Sequence, residues 1–262
     1  MASSNMTDLS PGLLRDGAVA TLTLRRPGKL NRLTQQDLHT LQDHCEALTQ
    51  DVSVRVVVLT ADTTNQKRPV FCAGYDVDGF DGRDHDPNLF ENTVKRLAQL
   101  PQVVLAVVNG SVYGGATDMV LACDLRIGLN GSEFRMPACA LGLHYYPSGL
   151  QRYVQVLGLD ATRQAFLTAN AMPVERLVAL GAFISQHGAQ EVATAGETLA
   201  QQVAQLAPLA TQATKASLNE IGQGQYLIGA LREREARCLA SADFTEGRRA
   251  FAERRPPKFT GR

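Results

Sequence analysis

Two short runs carry glycine where a strand gives way to a helix: Phe71-Cys72-Ala73-Gly74-Tyr75-Asp76 and Gly110-Ser111-Val112-Tyr113-Gly114-Gly115-Ala116. Glycine lets the main chain approach a ligand closely, and the first residues of a helix have N–H groups without intrahelical acceptors, so each run can aim a donor outward. Two such donors converging on one oxygen make an oxyanion hole, which takes up charge developing on a carbonyl and suits enolate chemistry on a thioester. Asp118 lies in the first turn of the helix that Gly115 opens, near the same donor. Each feature also has an ordinary explanation: Gly114-Gly115 makes a tight turn, and an acid in the first turn complements the helix dipole by about 0.3–1 kcal/mol. Nucleotide motifs do not fit. Neither run spells G-x-G-x-x-G, no G-K-[ST] follows, and Asn109 breaks a G-x-S-x-G elbow around Ser111.

These runs need a scaffold, and the pattern around them supplies one. Apolar spacing predicts strands over 18–24, 55–60, 103–108 and 125–128, alternating with helices over 34–50 and 89–100 and a short helix from Gly115 to Cys123. Leu38, Leu41, Cys45 and Leu48 share one face of the first helix, and Thr34 with Asp37 reads as its capping box. Phe90, Val94 and Leu97 give the second helix its apolar side. Such alternation predicts an α/β core with largely parallel strands. From residue 148 onward only helices are predicted, over 160–169, 173–180, 190–206 and 226–240, covering the sheet and supplying subunit contacts. The expected division is an unstructured N-terminus over 1–12, an α/β core over 13–200 and a helical region over 201–262.

Composition narrows the partners. The chain has 262 residues, 44% of them hydrophobic, enough for one large core. Lys plus Arg and Asp plus Glu number 26 each, which predicts no general attraction to nucleic acid or anionic membrane and requires any phosphate to be held locally. Cys45, Cys72, Cys123, Cys139 and Cys238 are an odd set without metal-ligand spacing, so reduced thiols, no metal and a cytoplasmic setting are expected. No apolar stretch approaches the ~20 residues of a membrane span, and Met1 to Gly12 lacks the pattern of a signal peptide.

Several segments, in order, resemble the crotonase (enoyl-CoA hydratase/isomerase) superfamily: Arg26-Pro27-Gly28-Lys29-Leu30-Asn31-Arg32-Leu33, the two glycine runs, Leu121-Ala122-Cys123-Asp124-Leu125-Arg126-Ile127, Ala213-Thr214-Lys215-Ala216, and the tail from Asp243 through Phe259. The likeness runs from about residue 14 to the end. It implies a ClpP/crotonase-like spiral of ββα units with a C-terminal helical region, assembled as trimers or dimers of trimers. The implied substrate is an acyl-CoA, carried as a thioester with no further cofactor, in fatty acid metabolism or a related pathway. On that pattern the thioester oxygen sits between the N–H groups of Tyr75 and Gly115. Lys29, Leu30, Ala73, Lys67 and Arg68 match places that hold coenzyme A, and Lys258 and Phe259 match a C-terminal element reaching the same region. Lys67 and Arg68 equally suit a solvated loop.

The departures from the pattern bear on the reaction. A hydratase of this superfamily carries one glutamate on the helix after Gly-Gly and another just after the proline of an F-x-x-P turn. Here those positions are Asp118 and Ala138. Hydration needs one group to activate water and another to handle the α-proton, so half of that apparatus is missing. Within the superfamily, Gly110 to Ala116, Met119, Phe134, Met136, Ala138, Leu141-Gly142-Leu143-His144-Tyr145, Phe166-Leu167-Thr168-Ala169 and Pro173 bear a closer resemblance to methylmalonyl-CoA decarboxylases. The resemblance places Tyr145 beside a substrate carboxylate; a phenol closing the pocket wall is the alternative, and His144 reads as a loop residue. Loss of CO₂ from a β-carboxy thioester yields the enolate without a base, leaving Tyr145, Asp118 or water to return a proton. The expected function is therefore an acyl-CoA lyase of decarboxylase-like type. The alternatives are a hydratase or isomerase using Asp118, or a silent CoA-binding member. The acyl pocket is expected to be shaped by loops such as 78–88.

Overall fold

The computed structural model describes residues 9–76 and 86–262. In chain order the elements are β1 (Leu9–Asp16), β2 (Val19–Arg25), α1 (Gln35–Thr49), β3 (Val56–Ala61), β4 (Val70–Cys72), α2 (Leu89–Ala98), β5 (Val103–Val108) and β6 (Ser111–Tyr113). Then follow α3 (Gly115–Leu121), β7 (Leu125–Leu129), β8 (Glu133–Arg135), α4 (Pro147–Leu157), α5 (Leu159–Thr168), β9 (Met172–Pro173) and α6 (Val174–Ala179). The last are β10 (Ser185–His187), α7 (Val192–Ala204), α8 (Pro208–Gly222), α9 (Ile228–Leu239) and α10 (Ala242–Glu253).

The strands form two sheets, ordered β1-β2-β3-β5-β7-β10 and β4-β6-β8-β9. Apart from the antiparallel pairs β1–β2 and β8–β9, neighbours run parallel. Buried parallel strands read as unbroken apolar runs because both faces are covered. In β5, Val104, Ala106 and Val108 face the core shared with Leu38, Leu41, Val94 and Leu97, whereas Leu105 and Val107 face Val192 and Ala200 of α7. Gly196 permits that second contact, since a Cβ there would lie 2.5 Å from a Val107 methyl. Thr34 caps α1 through a reciprocal pair with Asp37.

Each ββα unit takes one strand from the large sheet, one from the small sheet, and then a helix: β3-β4-α2, β5-β6-α3, β7-β8-α4. The chain leaves the large sheet at Ala61 and Val108 and re-enters order in the small one, where Val70 pairs with Ser111 and Cys72 with Val112. The turns that follow β4 and β6 are thereby made neighbours.

Two expectations are corrected. β1 begins at Leu9, inside the stretch expected to be unstructured, because the β2 ladder and the Arg25 guanidinium on the Ser10 carbonyl (2.8 and 3.0 Å) satisfy its backbone. The register slips between Leu9 and Gly12, around Pro11, which has no N–H to offer. The second half is not purely helical. β10 extends the large sheet along β7 and β9 pairs with β8; strands this short have no room for an alternating pattern and exist because a neighbour completes their ladder. Helices α4, α8 and α10 join those expected there. Among the described residues no helix is long and apolar enough to cross a membrane, and no cluster of side chains could hold a metal ion.

Helix α8 is fastened to the sheet by Lys215. Its ammonium lies 2.7 Å from Asp124 and donates to the Gln102 carbonyl at 2.7 Å, while Asp124 also accepts the Val104 N–H. Both partners are largely buried. Lys215→Ala is expected to cost about 3 kcal/mol in urea unfolding, because it strands the Asp124 charge.

Candidate active site

Pairing of β4 with β6 brings the two glycine turns into contact. Gly74 has φ +102°, and a Cβ built there would stand 2.9 Å from the Tyr113 carbonyl oxygen and 3.6 Å from Gly114 Cα. Gly114, at φ +57° and ψ −137°, is the N-cap of α3. Neither conformation nor that approach accommodates a side chain.

The direction of each candidate donor follows from its neighbours. Leu33 bridges to Tyr75: the Leu33 N–H donates to the Gly74 carbonyl and the Asp76 N–H donates to the Leu33 carbonyl, both at 2.9 Å. In an extended segment successive amides alternate sides, so the Tyr75 N–H points away from Leu33. On the other turn, the Gly114 carbonyl is held by the Thr117 hydroxyl at 2.6 Å and the Thr117 N–H at 3.0 Å. The peptide plane then turns the Gly115 N–H the opposite way, and as the first helical residue Gly115 has no intrahelical acceptor. A third bond, from the Gly114 N–H to the Arg135 carbonyl at 2.9 Å, fixes the turn to β8.

Asp118 is fully buried beneath this turn. Both of its oxygens lie 2.6 Å from Nη1 of Arg152 on α4, and the Tyr146 hydroxyl donates to Oδ2. Tyr145 donates to the Tyr146 hydroxyl at 3.1 Å, its ring stacked on that neighbour at 4.2 Å. Burial pushes the Asp118 carboxyl up, with Arg152 and Tyr146 pulling against it. Burial and then the Asp118 charge push both phenols well above their usual range. Burial works against the Arg152 cation, but Asp118 outweighs it and holds the guanidinium charged. Beside this pair, the Glu91 carboxylate accepts from Ser148 at 2.6 Å and pairs with Lys95 at 2.8 Å. Ala138 is buried in the core and places a methyl group after Pro137.

Tyr75, Gly115, Asp118 and Tyr145 are thus gathered in one region, joined by three residues to which the sequence assigned no part in the site. Tyr146 and Arg152 hold Asp118, and Phe90 lies against Gly115, where a Cβ would be 2.7 Å from its ring. A buried acid requires a cationic or hydrogen-bonding partner; nothing in the sequence specified that α4 would bring Arg152 to it.

Of the residues expected to hold coenzyme A, Lys29, Leu30, Ala73, Lys67 and Arg68 share one flank of the site. The Ala73 N–H donates to the Leu30 carbonyl at 2.9 Å, and Gln66 ties the Lys67–Arg68 loop to the Pro27 carbonyl at 3.1 Å. Lys29, Lys67 and Arg68 are exposed. Lys258 and Phe259 are not brought to that flank within one chain. The Phe259 carbonyl accepts from Arg55, at the beginning of β3, and the Lys258 N–H bonds Glu246. The other residues are near the end of β3, about 20 Å along the strand at roughly 3.3 Å per residue. Phe259 instead lines an apolar cavity of about 450 Å³ with Phe244 and Phe251. His144 is exposed. Residues 78–85 of the loop expected to shape the acyl pocket lie outside the described residues.

Residues 15–262 match the enoyl-CoA hydratase/isomerase family. The chain is 26% identical over 251 residues to methylmalonyl-CoA decarboxylase of Escherichia coli, covering 93% of this chain and 95% of that protein. It is 27% identical to the short-chain-enoyl-CoA hydratase of Clostridium acetobutylicum, over 93% and 94% of the two chains. Among solved structures it resembles an enoyl-CoA hydratase subunit from Geobacillus kaustophilus, with a TM-score of 0.85, 28% identity and 97% and 99% coverage.

Arg152→Met leaves Asp118 buried without its cation. The expected loss is about 3–5 kcal/mol at neutral pH. Without Arg152 the carboxyl of the folded state rises further above its unfolded value, so stability is highest when the group is protonated. Urea unfolding of the variant at pH 5 and pH 8 should show the larger deficit at pH 8.

Proposed function

The chain belongs to the enoyl-CoA hydratase/isomerase family, and from that premise we propose that it is a decarboxylase-like lyase acting on an acyl-CoA with a carboxylate on the α-carbon. In this reading the N–H groups of Tyr75 and Gly115 receive the thioester oxygen. The bond from the α-carbon to the carboxylate breaks, CO₂ leaves, and the electron pair moves through the α-carbon onto that oxygen. A proton then returns to the α-carbon, so one proton is consumed for each CO₂ released. Each fixed donor in a dry site is worth about 2.7–4 kcal/mol of barrier. The Tyr145–Tyr146 pair, or water, supplies the proton.

The observation that carries this choice is the state of Asp118. Both of its oxygens are engaged by Arg152 and Tyr146, and the second carboxylate position is Ala138. A general base must come within hydrogen-bond reach of the proton it takes, and a carboxylate with no exposed surface, tied to Arg152 and Tyr146, is better suited to holding Tyr146 in place. Decarboxylation makes no demand for a base. Lys29, Leu30, Ala73, Lys67 and Arg68 are assigned to the coenzyme A portion. Lys258 and Phe259 serve the same end only in an assembly of several copies, consistent with the trimer expected from the resemblance.

Incubation with methylmalonyl-CoA should release CO₂, and crotonyl-CoA should keep its enoyl absorbance. The reverse pattern would establish a hydratase, and acyl-CoA binding with neither signal a silent member. Gly115→Ala is expected to lower turnover by roughly 10²-fold, because the new Cβ must displace Phe90 and shift the donor. Asp118→Asn, where circular dichroism shows it folded, should retain CO₂ release within about tenfold of the parent; a loss of the order of 10³-fold in the folded variant would return Asp118 to a catalytic role.

A further inference from the structure

We infer that Phe90 limits the length of acyl chain the site accepts and that short acyl groups are preferred; the inference rests on the assignment of Tyr75 and Gly115 as thioester donors. The three atoms nearest to a Cβ built on Gly115 all belong to the Phe90 ring, at 2.7, 3.0 and 3.2 Å. The ring edge is therefore in contact with the α-carbon of the donor residue. An oxygen hydrogen-bonded to that residue sits about 2.9 Å from its nitrogen, which sets the carbonyl and α-carbon of a bound acyl group beside the same ring.

Phe90 does not stand alone. Its centroid is 5.7 Å from that of Tyr75 and 6.3 Å from that of Tyr146. Behind Tyr146 the wall continues through Tyr145 to Phe166 at 5.6 Å and on to Tyr153 at 4.8 Å from Phe166. Tyr145, Tyr153 and Phe166 are buried. Such an interior is close-packed and yields little to added carbons. Gly149 shows how tight the packing is, since a Cβ there would meet the Tyr145 ring at 2.4 Å and the Tyr146 ring at 2.7 Å. Phe90 is the member of this wall that lies against Gly115, so an acyl chain leaving that donor meets it before Tyr145, Tyr153 or Phe166.

The test is calorimetric titration of the parent protein, Phe90→Ala and Phe90→Leu with CoA, butyryl-CoA and octanoyl-CoA, saturated probes that neither proposed reaction consumes. The parent should bind butyryl-CoA at least roughly tenfold more tightly than octanoyl-CoA. Phe90→Ala should abolish or invert that preference and Phe90→Leu should reduce it, with CoA affinity changed by no more than about twofold. A parent that binds both thioesters equally, or variants that keep the parental ratio, would overturn the inference while leaving the CoA assignment intact. If Phe90→Ala fails to fold by circular dichroism, Phe90→Leu decides by the same criterion. Absence of any binding by the parent, CoA included, would overturn both the inference and the assignment beneath it.

Discussion

The contact between Gly74 and Gly114 is the constraint around which the site is arranged. Two main chains approach so closely that a single Cβ on Gly74 would fall 2.9 Å from a carbonyl oxygen. Three independent restraints maintain the approach: the β4–β6 ladder below it, the bridge from Leu33 on one side, and the Thr117 and Arg135 bonds on the other. Backbone donors set in this way need no side-chain ordering when a ligand arrives, which is why preorganised amides stabilise developing charge more effectively than mobile groups do.

Asp118 shows how burial changes the meaning of a residue. An exposed carboxylate in the first turn of a helix would be a modest dipole partner. With no solvent contact the same group must be compensated, and Arg152 and Tyr146 do so. The network also links α3 to α4, so the electrostatic demand of one side chain orients the helix that begins directly after Tyr145 and Tyr146. Removing one member of such a pair is costlier than the pair is stabilising. Its structural importance therefore does not require it to exchange protons with a substrate.

The large sheet and its helices were legible because their signals are local. The run Val103–Val108 is apolar throughout and buried on both faces, and Thr34 with Asp37 marks the start of α1 as the spacing predicts. The short strands β9 and β10 carry no comparable signal, since two or three residues cannot display a period; each was settled by the strand beside it. β1 was not anticipated at all: Leu9–Asp16 carries a Pro-Gly pair and no clean alternation, and it is a strand because β2 and Arg25 satisfy its backbone.

Residue type and spacing along the chain were enough to fix the alternation of strands and helices, the family to which the chain belongs, and the glycines at 74, 114 and 115. Residue type also shows that position 138 has no carboxylate. That Arg152 and Tyr146 engage Asp118, that Phe90 lies on Gly115, and that Lys258 and Phe259 stay at the far edge of β3 within one chain emerged from packing in three dimensions. Those contacts join residues from different ββα units or from opposite ends of the chain. They arise from packing and from the cost of burying charge, neither of which leaves a period in the sequence.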